Sequence, residues 1–175
     1  MEYERVPFDV GTYEARTQRR PCFICAIVAG THEVREHVVY RDDFALAFMN
    51  QFPPLVGYVL VAPIEHRERW ELDFSEPEHL RMHALNRRIG RAIATVLPTE
   101  RIYLLSLGSR QGNAHVHWHI APLPPGVPYE QQQGEALSLR HGYLRIPEED
   151  QSGLAARIAA AIETTDSGAA TTEDA

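Results

Sequence analysis

The segment HVHWHIAP, residues 115–122, contains three of the chain's nine histidines at alternate positions. These are His115, His117 and His119. Side chains of an extended strand alternate between its two faces, so a strand would place all three histidines on one face. Val116, Trp118 and Ile120 would then lie on the other face, and their bulk suits a hydrophobic core. We therefore predict a strand here with a histidine face and a core face.

Metal binding is one chemistry open to these histidines. Two imidazoles at i and i+2 of a strand can bind one metal ion, but the remaining ligands must come from elsewhere in the chain. Cupin-like sites would require a glutamate shortly after the pair, where this chain has Ala121, Pro122 and Leu123. Metal-dependent amidohydrolases use the same pair on a barrel of about 250 residues, more than the 175 available here.

Nucleophilic catalysis on phosphorus is the second possibility. A neutral imidazole attacks phosphorus readily, provided that the protein holds the tautomer in which the attacking nitrogen keeps its lone pair. Neighbouring histidines would supply donors for the charge on the phosphoryl oxygens. Because this chemistry explains the clustering, we favour it over three partly buried histidines without function.

The only cysteines, Cys22 and Cys25, lie in PCFICAIVAG. A Cys-x-x-Cys pair is either half of a zinc site or a redox pair. A redox pair should lie between a strand and a helix of a thioredoxin-like unit, which the flanking sequence does not indicate. We therefore rank the redox interpretation last.

Composition restricts the partners. The net charge is -7, and residues 148–175 carry seven acids against Arg157 alone, so the rest of the chain is close to neutral. No broad basic face is expected, which argues against nucleic acid but leaves a small anionic ligand possible. The chain has no lysine, which excludes a lysine nucleophile, a Schiff base and a P-loop lysine.

The chain length and hydropathy predict one soluble domain. A chain of 175 residues suits one domain with a core of its own. No segment approaches the run of about 20 apolar residues that spans a bilayer, and MEYERVPFDV does not resemble a signal peptide. We expect a cytoplasmic protein without a membrane partner.

Hydrophobic periodicity predicts an α+β domain on an antiparallel sheet. A long helix should begin after Ser75, with Glu78 completing a capping box, and end before Pro98. PLPPGVPYEQQQ is expected to form a surface loop. The predicted strands are 38–40, 44–49, 57–63, 101–107 and the histidine strand, and a second helix is predicted over 148–163. We divide the chain into an arm (1–20), a domain (21–163) and a disordered acidic tail (164–175).

The segment HVHWHIA resembles the signature of the histidine triad (HIT) superfamily, His-φ-His-φ-His-φ-φ with φ apolar. CFICAIVAG is similar to the Cys-x-x-Cys opening of many bacterial members, and GYVLVAPIEH to their "G-H-x-L-V-x-P-x-x-H" strand, so the resemblance covers roughly residues 21–125. It implies a HIT-like α+β fold, with a long helix packed on an antiparallel sheet, joined here by a C-terminal helix. It also implies a homodimer that hydrolyses or transfers nucleotidyl groups.

The resemblance also implies roles for individual residues. The middle histidine, His117, would be the nucleophile on the α-phosphorus; His119 would contact the phosphate and His115 would support the network beside the leaving group. Residues before the triad would help to bind the nucleotide, and so would the residue where the family has a ribose-binding aspartate. These nucleotide-binding candidates are Gln111, Gly112, Asn113, Asn50 and His119.

Members with the cysteine pair hold zinc, which adds a second set of implied ligands. That set is Cys22, Cys25, His66 and His115, and it would be a structural site. This chain departs from the family at Asn50, at Tyr58 in place of the histidine of "G-H-x-L", and after the triad, where Pro122 is followed by Leu123.

The implied activity is hydrolysis or transfer on dinucleoside polyphosphates, such as diadenosine tetraphosphate, or on nucleoside phosphoramidates. The reaction would pass through a nucleotidyl-histidine intermediate. Two alternatives stay open at this point. One is a dinucleoside polyphosphate phosphorylase, and the other is a nucleotide-binding or interaction module without catalysis.

Overall fold

The computed structural model describes residues 3–17, 20–34, 36–108 and 114–167. The candidate phosphate-binding residues Gln111, Gly112 and Asn113 therefore lie outside the described residues, as do residues 168–175 of the predicted tail.

A five-stranded antiparallel sheet forms the centre of the molecule, as the sequence predicts. Its strands are β2 (Val38–Arg41), β3 (Ala45–Met49), β4 (Val59–Pro63), β5 (Arg101–Leu105) and β6 (Trp118–Leu123). Their order in the sheet is β2-β3-β4-β6-β5. Strand β6, which contains His119, thus lies between β4 and β5 and is hydrogen-bonded on both sides.

Two long helices cover one face of this sheet. They are α3 (Glu76–Val96) and α5 (Glu148–Ser167). Val116, Trp118 and Ile120 are buried in the core beneath these helices, so the predicted core face of the histidine segment is confirmed. Glu78 accepts hydrogen bonds from both the backbone and the hydroxyl of Ser75, which fixes the start of α3 where the capping box predicts it.

The opposite face of the sheet is only partly covered, by the short helix α2 (Phe23–Ala29). Phe48 of β3 lies opposite Leu60 of β4, and Leu60 lies opposite His119 of β6, so these three side chains share this face. Ile24 of α2 is fully buried against it. The less covered face of the sheet is thus the one that carries the histidines.

The arm (1–20) contains more structure than the sequence indicates. Arg5–Val6 forms β1, which pairs with β7 (Tyr143–Leu144), and Val10–Thr17 forms α1. The arm shows no periodicity of its own because its pairing partner lies more than a hundred residues further along the chain.

The C-terminal part contains short elements before the last helix. The proline-rich segment is mostly loop, as predicted, but it includes a 3₁₀ turn at Tyr129–Gln131. The helix α4 (Gly134–Leu137) and a second 3₁₀ turn (Leu139–His141) follow it. Helix α5 continues to Ser167 and so extends into the segment assigned to the tail. Among the described residues, no helix has the length and apolarity needed to cross a membrane.

Candidate active site and metal centre

The histidine segment enters its strand later than the sequence predicts. Strand β6 begins at Trp118, so His115 and His117 precede it. Their backbone is held instead by two other contacts: the Val116 N–H donates to the Arg67 carbonyl at 2.7 Å, and the Ser106 hydroxyl donates to the His117 carbonyl at 2.7 Å. Side chains still alternate in this extended segment before β6, because the hydrogen bonds from Val116 to Arg67 and from Ser106 to His117 hold its backbone.

His117 is held in one tautomer. Its Nδ1 lies 2.7 Å from the backbone carbonyl of His115, and a carbonyl can only accept, so Nδ1 carries the proton. Nε2 therefore keeps its lone pair. Burial lowers the pKa of His117, which favours the neutral ring. Only 6% of the residue is exposed, so the neutral ring lies in a largely water-excluded position.

His119 lies beside His117, with 4.8 Å between the ring centroids. Its Nδ1 is 3.1 Å from the hydroxyl of Tyr58, a buried residue at the entrance to β4. Burial lowers the pKa of His119 to about 3, with a smaller contribution from the nearby His117. His119 is therefore neutral near pH 7 and has one ring proton to donate.

His115 is fully buried, and its ring centroid lies 4.8 Å from that of His66. Its Nε2 lies 3.0 Å from the Pro63 carbonyl and must carry the proton. Its Nδ1 is 3.5 Å from Sγ of Cys22 and 3.6 Å from Sγ of Cys25. Burial lowers the pKa of His115 to about 4, so the ring stays neutral with its lone pair towards the sulfurs.

His66 completes this cluster from the loop after β4. Its Nδ1 lies 3.2 Å from Sγ of Cys25, and its Nε2 lies 3.2 Å from a carboxylate oxygen of Glu68. A carboxylate partner favours the proton on Nε2 and directs the Nδ1 lone pair into the cluster, the usual arrangement around metal-binding histidines.

The four ligand atoms of Cys22, Cys25, His66 and His115 all lie within 4.8 Å of one another. Zinc bonds of about 2.0–2.3 Å place the ligands of a tetrahedral ion about 3.3–3.8 Å apart, close to the spacings of the three contacts above. Two thiols and two imidazoles with their lone pairs directed inward also match the preferred donors of structural zinc. The residues present therefore fit a zinc ion.

Asn50 follows β3 and lines the cavity beside the cluster. Its side-chain oxygen accepts a hydrogen bond from the Phe52 N–H at 2.8 Å, which leaves its amide hydrogens and the second lone pair of that oxygen for a ligand. Gln151 of α5 donates to the Asn50 carbonyl at 3.2 Å. The side chain of Asn50 is therefore held in place at the cavity wall.

The cavity has a volume of about 480 Å³ and lies on the open face of the sheet. Its walls come from α1, α2, the loop before β2, and the strands β3 and β4. Phe23 lines the cavity and also lies beside the triad, since its ring centroid is 6.3 Å from that of His117. The cavity and His117 are therefore on adjacent sides of the Phe23 ring.

Some residues of the site were not identified from the sequence. No motif marks Ser106, whose hydroxyl holds the His117 carbonyl from the residue after β5. Tyr58 and Pro63 lie inside the recognised segment GYVLVAPIEH and Glu68 follows it by two residues, so a closer inspection of that segment could have found them.

A HIT domain family model matches residues 31–125 of this chain. An uncharacterised HIT-like protein of Saccharolobus solfataricus is 34% identical over 106 residues, which is 58% of this chain and 73% of that protein.

Two solved structures are similar to the whole described fold. A hypothetical histidine triad nucleotide-binding protein from Sulfolobus tokodaii has a TM-score of 0.68 at 22% identity, covering 88% of this chain and 100% of that chain. A zinc-bound histidine triad family protein from Mycobacterium smegmatis has a TM-score of 0.64 at 25% identity, covering 84% and 96%. The α+β architecture predicted from the sequence is thus confirmed.

Proposed function

Because this chain belongs to the HIT family, we propose that it is a nucleotidyl hydrolase or transferase with His117 as its nucleophile. The observation that carries the proposal is the contact of 2.7 Å between Nδ1 of His117 and the His115 carbonyl, which leaves Nε2 free to attack. The substrate class is a dinucleoside polyphosphate or a nucleoside phosphoramidate, and the site of action is the cytoplasm.

The first step forms a bond between Nε2 of His117 and the α-phosphorus, and the leaving group departs with its electron pair and gains a proton. The His117 ring then carries phosphorus on Nε2 and a proton on Nδ1, so positive charge develops on it. The His115 carbonyl accepts that proton's hydrogen bond more strongly as the charge grows, which stabilises the transition state more than the ground state. Water then attacks phosphorus and breaks the P–N bond, which restores His117 and releases a nucleoside monophosphate.

His119 supplies a donor to the phosphoryl oxygens in this proposal. If the Tyr58 hydroxyl donates to Nδ1 of His119, the single ring proton lies on Nε2 and points away from Tyr58. Tyr58 is thus a positioning residue that selects the donating tautomer. Tyr58 replaces the histidine of the family motif, so the proposal gives this replacement a function.

The nucleoside part of the substrate occupies the cavity beside the triad. Asn50 donates its amide hydrogens to ribose hydroxyl oxygens, while the Phe52 N–H holds its side-chain oxygen in place. The resemblance adds Gln111, Gly112 and Asn113 as phosphate contacts. His115 acts on the reaction through its carbonyl, while its ring belongs to the metal centre.

Zinc has a structural role in this proposal. Cys22 and Cys25 belong to α2 and its N-terminal boundary, His66 to the loop after β4, and His115 to the lead-in to β6. A metal bound by all four would join these three segments and fix the carbonyl that holds His117. The ion supplies cross-linking and takes no part in the reaction at phosphorus.

A homodimer is the assembly that we propose. Strand β5 is an edge of the sheet, and Leu104 within it and Leu107 just after it are 45% and 67% exposed. An exposed edge with apolar side chains suits pairing with a second copy of the chain.

The proposal is tested by assaying the full chain on a panel of dinucleoside polyphosphates and nucleoside phosphoramidates, with and without phosphate. We expect a nucleoside monophosphate as product, and His117→Ala should lower kcat/KM by at least about 10³-fold while retaining nucleotide binding. His79→Ala, which changes a partly buried histidine of α3 outside the cavity, is the matched control and should retain full activity. Equal activity of the wild type and His117→Ala would refute the proposal, and a nucleoside diphosphate formed only with phosphate would identify a phosphorylase instead. Tight binding without turnover on any substrate would identify a binding module.

A further inference from the structure

We propose that Glu36, oriented by His32, recognises the Watson–Crick edge of a guanine base in the cavity and makes the site selective for guanine nucleotides. The inference rests on the proposed function, since it concerns the nucleoside part of the same substrate. Neither residue belongs to the motifs that identify the family.

Both residues line the cavity described above, together with Phe23, Phe48 and Asn50. The ring centroid of Phe23 is 6.3 Å from that of His117 and 6.5 Å from that of His32, so Phe23 is close to both the reacting group and the polar pair. In the binding mode that we infer, a nucleotide whose phosphate is at His117 places its base beside Phe23, within the cavity that Glu36 lines.

Glu36 is unusual because a carboxylate is otherwise rarely buried without a full set of partners. Only 11% of its side chain is exposed, and 18% of that of His32. Oε1 of Glu36 lies 3.1 Å from Nδ1 of His32, and this is the one polar contact found for the carboxylate within the described residues. The His32 Nδ1 donates a hydrogen bond to the Val34 carbonyl at 3.1 Å, so this nitrogen carries a proton and the ring is held beside the carboxylate.

Burial raises the pKa of Glu36 to about 6, and the nearby His32 opposes that shift. The group is therefore mostly ionised at pH 7.5, and among the described residues His32 is the one donor found beside it. A ligand with two adjacent N–H groups would satisfy this carboxylate.

The chemistry of the bases selects guanine. Its N1–H and N2–H₂ groups are adjacent donors and bind both oxygens of a carboxylate at once. Adenine presents the N6 amine next to N1, whose lone pair would face a carboxylate oxygen and repel it. Hypoxanthine keeps N1–H but lacks the N2 amine, so it can donate only one of the two hydrogen bonds.

The wall around this end of the cavity is firmly attached to the domain. Tyr13 of α1 lines the cavity and belongs to an aromatic cluster with neighbouring ring centroids 5.1 to 6.2 Å apart. The other members of this cluster are Phe8, Phe52 and Tyr143. Because Phe52 also holds the Asn50 side chain, the base end and the ribose end of the cavity are fixed together.

The test measures kcat/KM at pH 7.5 for the phosphoramidates of guanosine, inosine and adenosine with the full chain. We expect guanosine to exceed adenosine by at least about 10-fold, with inosine between them, because each lost bond to a charged group weakens binding. Glu36→Gln replaces one acceptor oxygen by a donor, which matches the N6–H₂ and N1 groups of adenine. In this variant the preference should shift towards adenosine.

Glu33→Gln is the matched control, since Glu33 lies on the same loop and also lines the cavity, but its side chain is 74% exposed and forms an ion pair with Arg20. It should leave the base preference unchanged. Equal rates for guanosine and adenosine in the wild type, or a preference that changes with Glu33→Gln but not with Glu36→Gln, would overturn the inference while the proposed function stands. If no substrate is turned over, titration with guanosine and adenosine monophosphates decides it: equal affinity overturns the inference, and tighter guanosine binding that Glu36→Gln abolishes supports it.

Discussion

The histidine segment contributes to two neighbouring clusters that differ in chemistry. The cluster that we propose to bind zinc, called the metal end, comprises His115 with Cys22, Cys25 and His66. The cluster that we propose to bind phosphate, called the phosphate end, comprises His117 and His119. His115 carries its proton on Nε2 and directs Nδ1 to the sulfurs, whereas His117 carries its proton on Nδ1 and keeps Nε2 free. Each tautomer is set by one backbone carbonyl. The position of a carbonyl acceptor thus decides which ring nitrogen of each neutral histidine keeps its lone pair, and with it the role that we propose for that histidine.

The two ends are coupled through one residue. His115 gives its ring to the metal end and its carbonyl to the phosphate end. Variants that remove one end and leave the other in place can therefore test this division.

The largest effect is expected from removal of the metal. Cys25→Ser should abolish zinc binding and lower the free energy of unfolding by on the order of 5 kcal/mol. This loss is smaller than the free energy that zinc contributes to zinc-finger peptides, because this domain also has a hydrophobic core. Chemical denaturation together with elemental analysis measures both changes. His117→Ala is the control and should keep its zinc. Wild-type protein without stoichiometric zinc would contradict the assignment of the metal end.

A comparably large effect is expected from the core face of the same segment. Trp118 is 4% exposed and packs edge-on against Phe74, with 5.9 Å between the ring centroids. Trp118→Ala should lower the free energy of unfolding by about 3–5 kcal/mol. His119→Ala, on the opposite face, should cost much less stability but should reduce turnover. Similar losses of stability in the two variants would show that the core face does not contribute more to stability than the histidine face, contrary to this account.

A moderate effect on catalysis is expected at Tyr58. Tyr58→Phe removes the hydroxyl next to Nδ1 of His119 and should lower kcat about 10-fold with little change in KM, equivalent to about 1.4 kcal/mol of transition-state stabilisation. Tyr103→Phe is the matched control, since that hydroxyl accepts a hydrogen bond from the Gln133 N–H instead. An unchanged kcat for Tyr58→Phe would remove Tyr58 from the proposed mechanism.

The smallest effect is expected at the ion pair between Arg67, the residue after His66, and Glu78 of α3. The Arg67 guanidinium, followed by the Ser75 hydroxyl and N–H, lowers the pKa of Glu78 from 4.5 to about 2. A lowered pKa in the folded state means that this contribution is present above pH 4.5 and is lost as the pH falls from 4.5 to 2. Between pH 4.5 and 2, the stability of Glu78→Gln should fall slightly less steeply with decreasing pH than that of the wild type. Thermal unfolding at a series of pH values measures both slopes. Identical slopes would show that the ion pair contributes nothing measurable.

The sequence predicts most of the sheet and both long helices because their signals are local. Alternation separates Val116, Trp118 and Ile120 from the histidines, and Ser75 with Glu78 marks the start of α3. The start of β6 was predicted too early, since pairing with β4 runs only from Trp118 to Ile120 and the lead-in relies on Arg67 and Ser106. These anchors belong to other segments and leave no local pattern.

The candidate site divides in the same way. The family signature predicts which histidines and cysteines gather, and the structure places all four ligand atoms of the metal end together. Tautomers depend on carbonyls that any residue can provide, so the sequence carries no signal for them. The pairing of β1 with β7 and the cavity wall formed by α1 likewise depend on contacts between distant parts of the chain.

The covalent intermediate provides the most direct test of His117 as the nucleophile. The full chain is mixed with a nucleoside phosphoramidate, quenched within the first turnovers at alkaline pH, where a P–N bond survives, and digested for mass spectrometry. The account predicts one nucleoside monophosphate unit on the peptide that contains His117, located on that residue by fragmentation and absent from His117→Ala. Rapid turnover with no such adduct, or with the adduct on another residue, would contradict it.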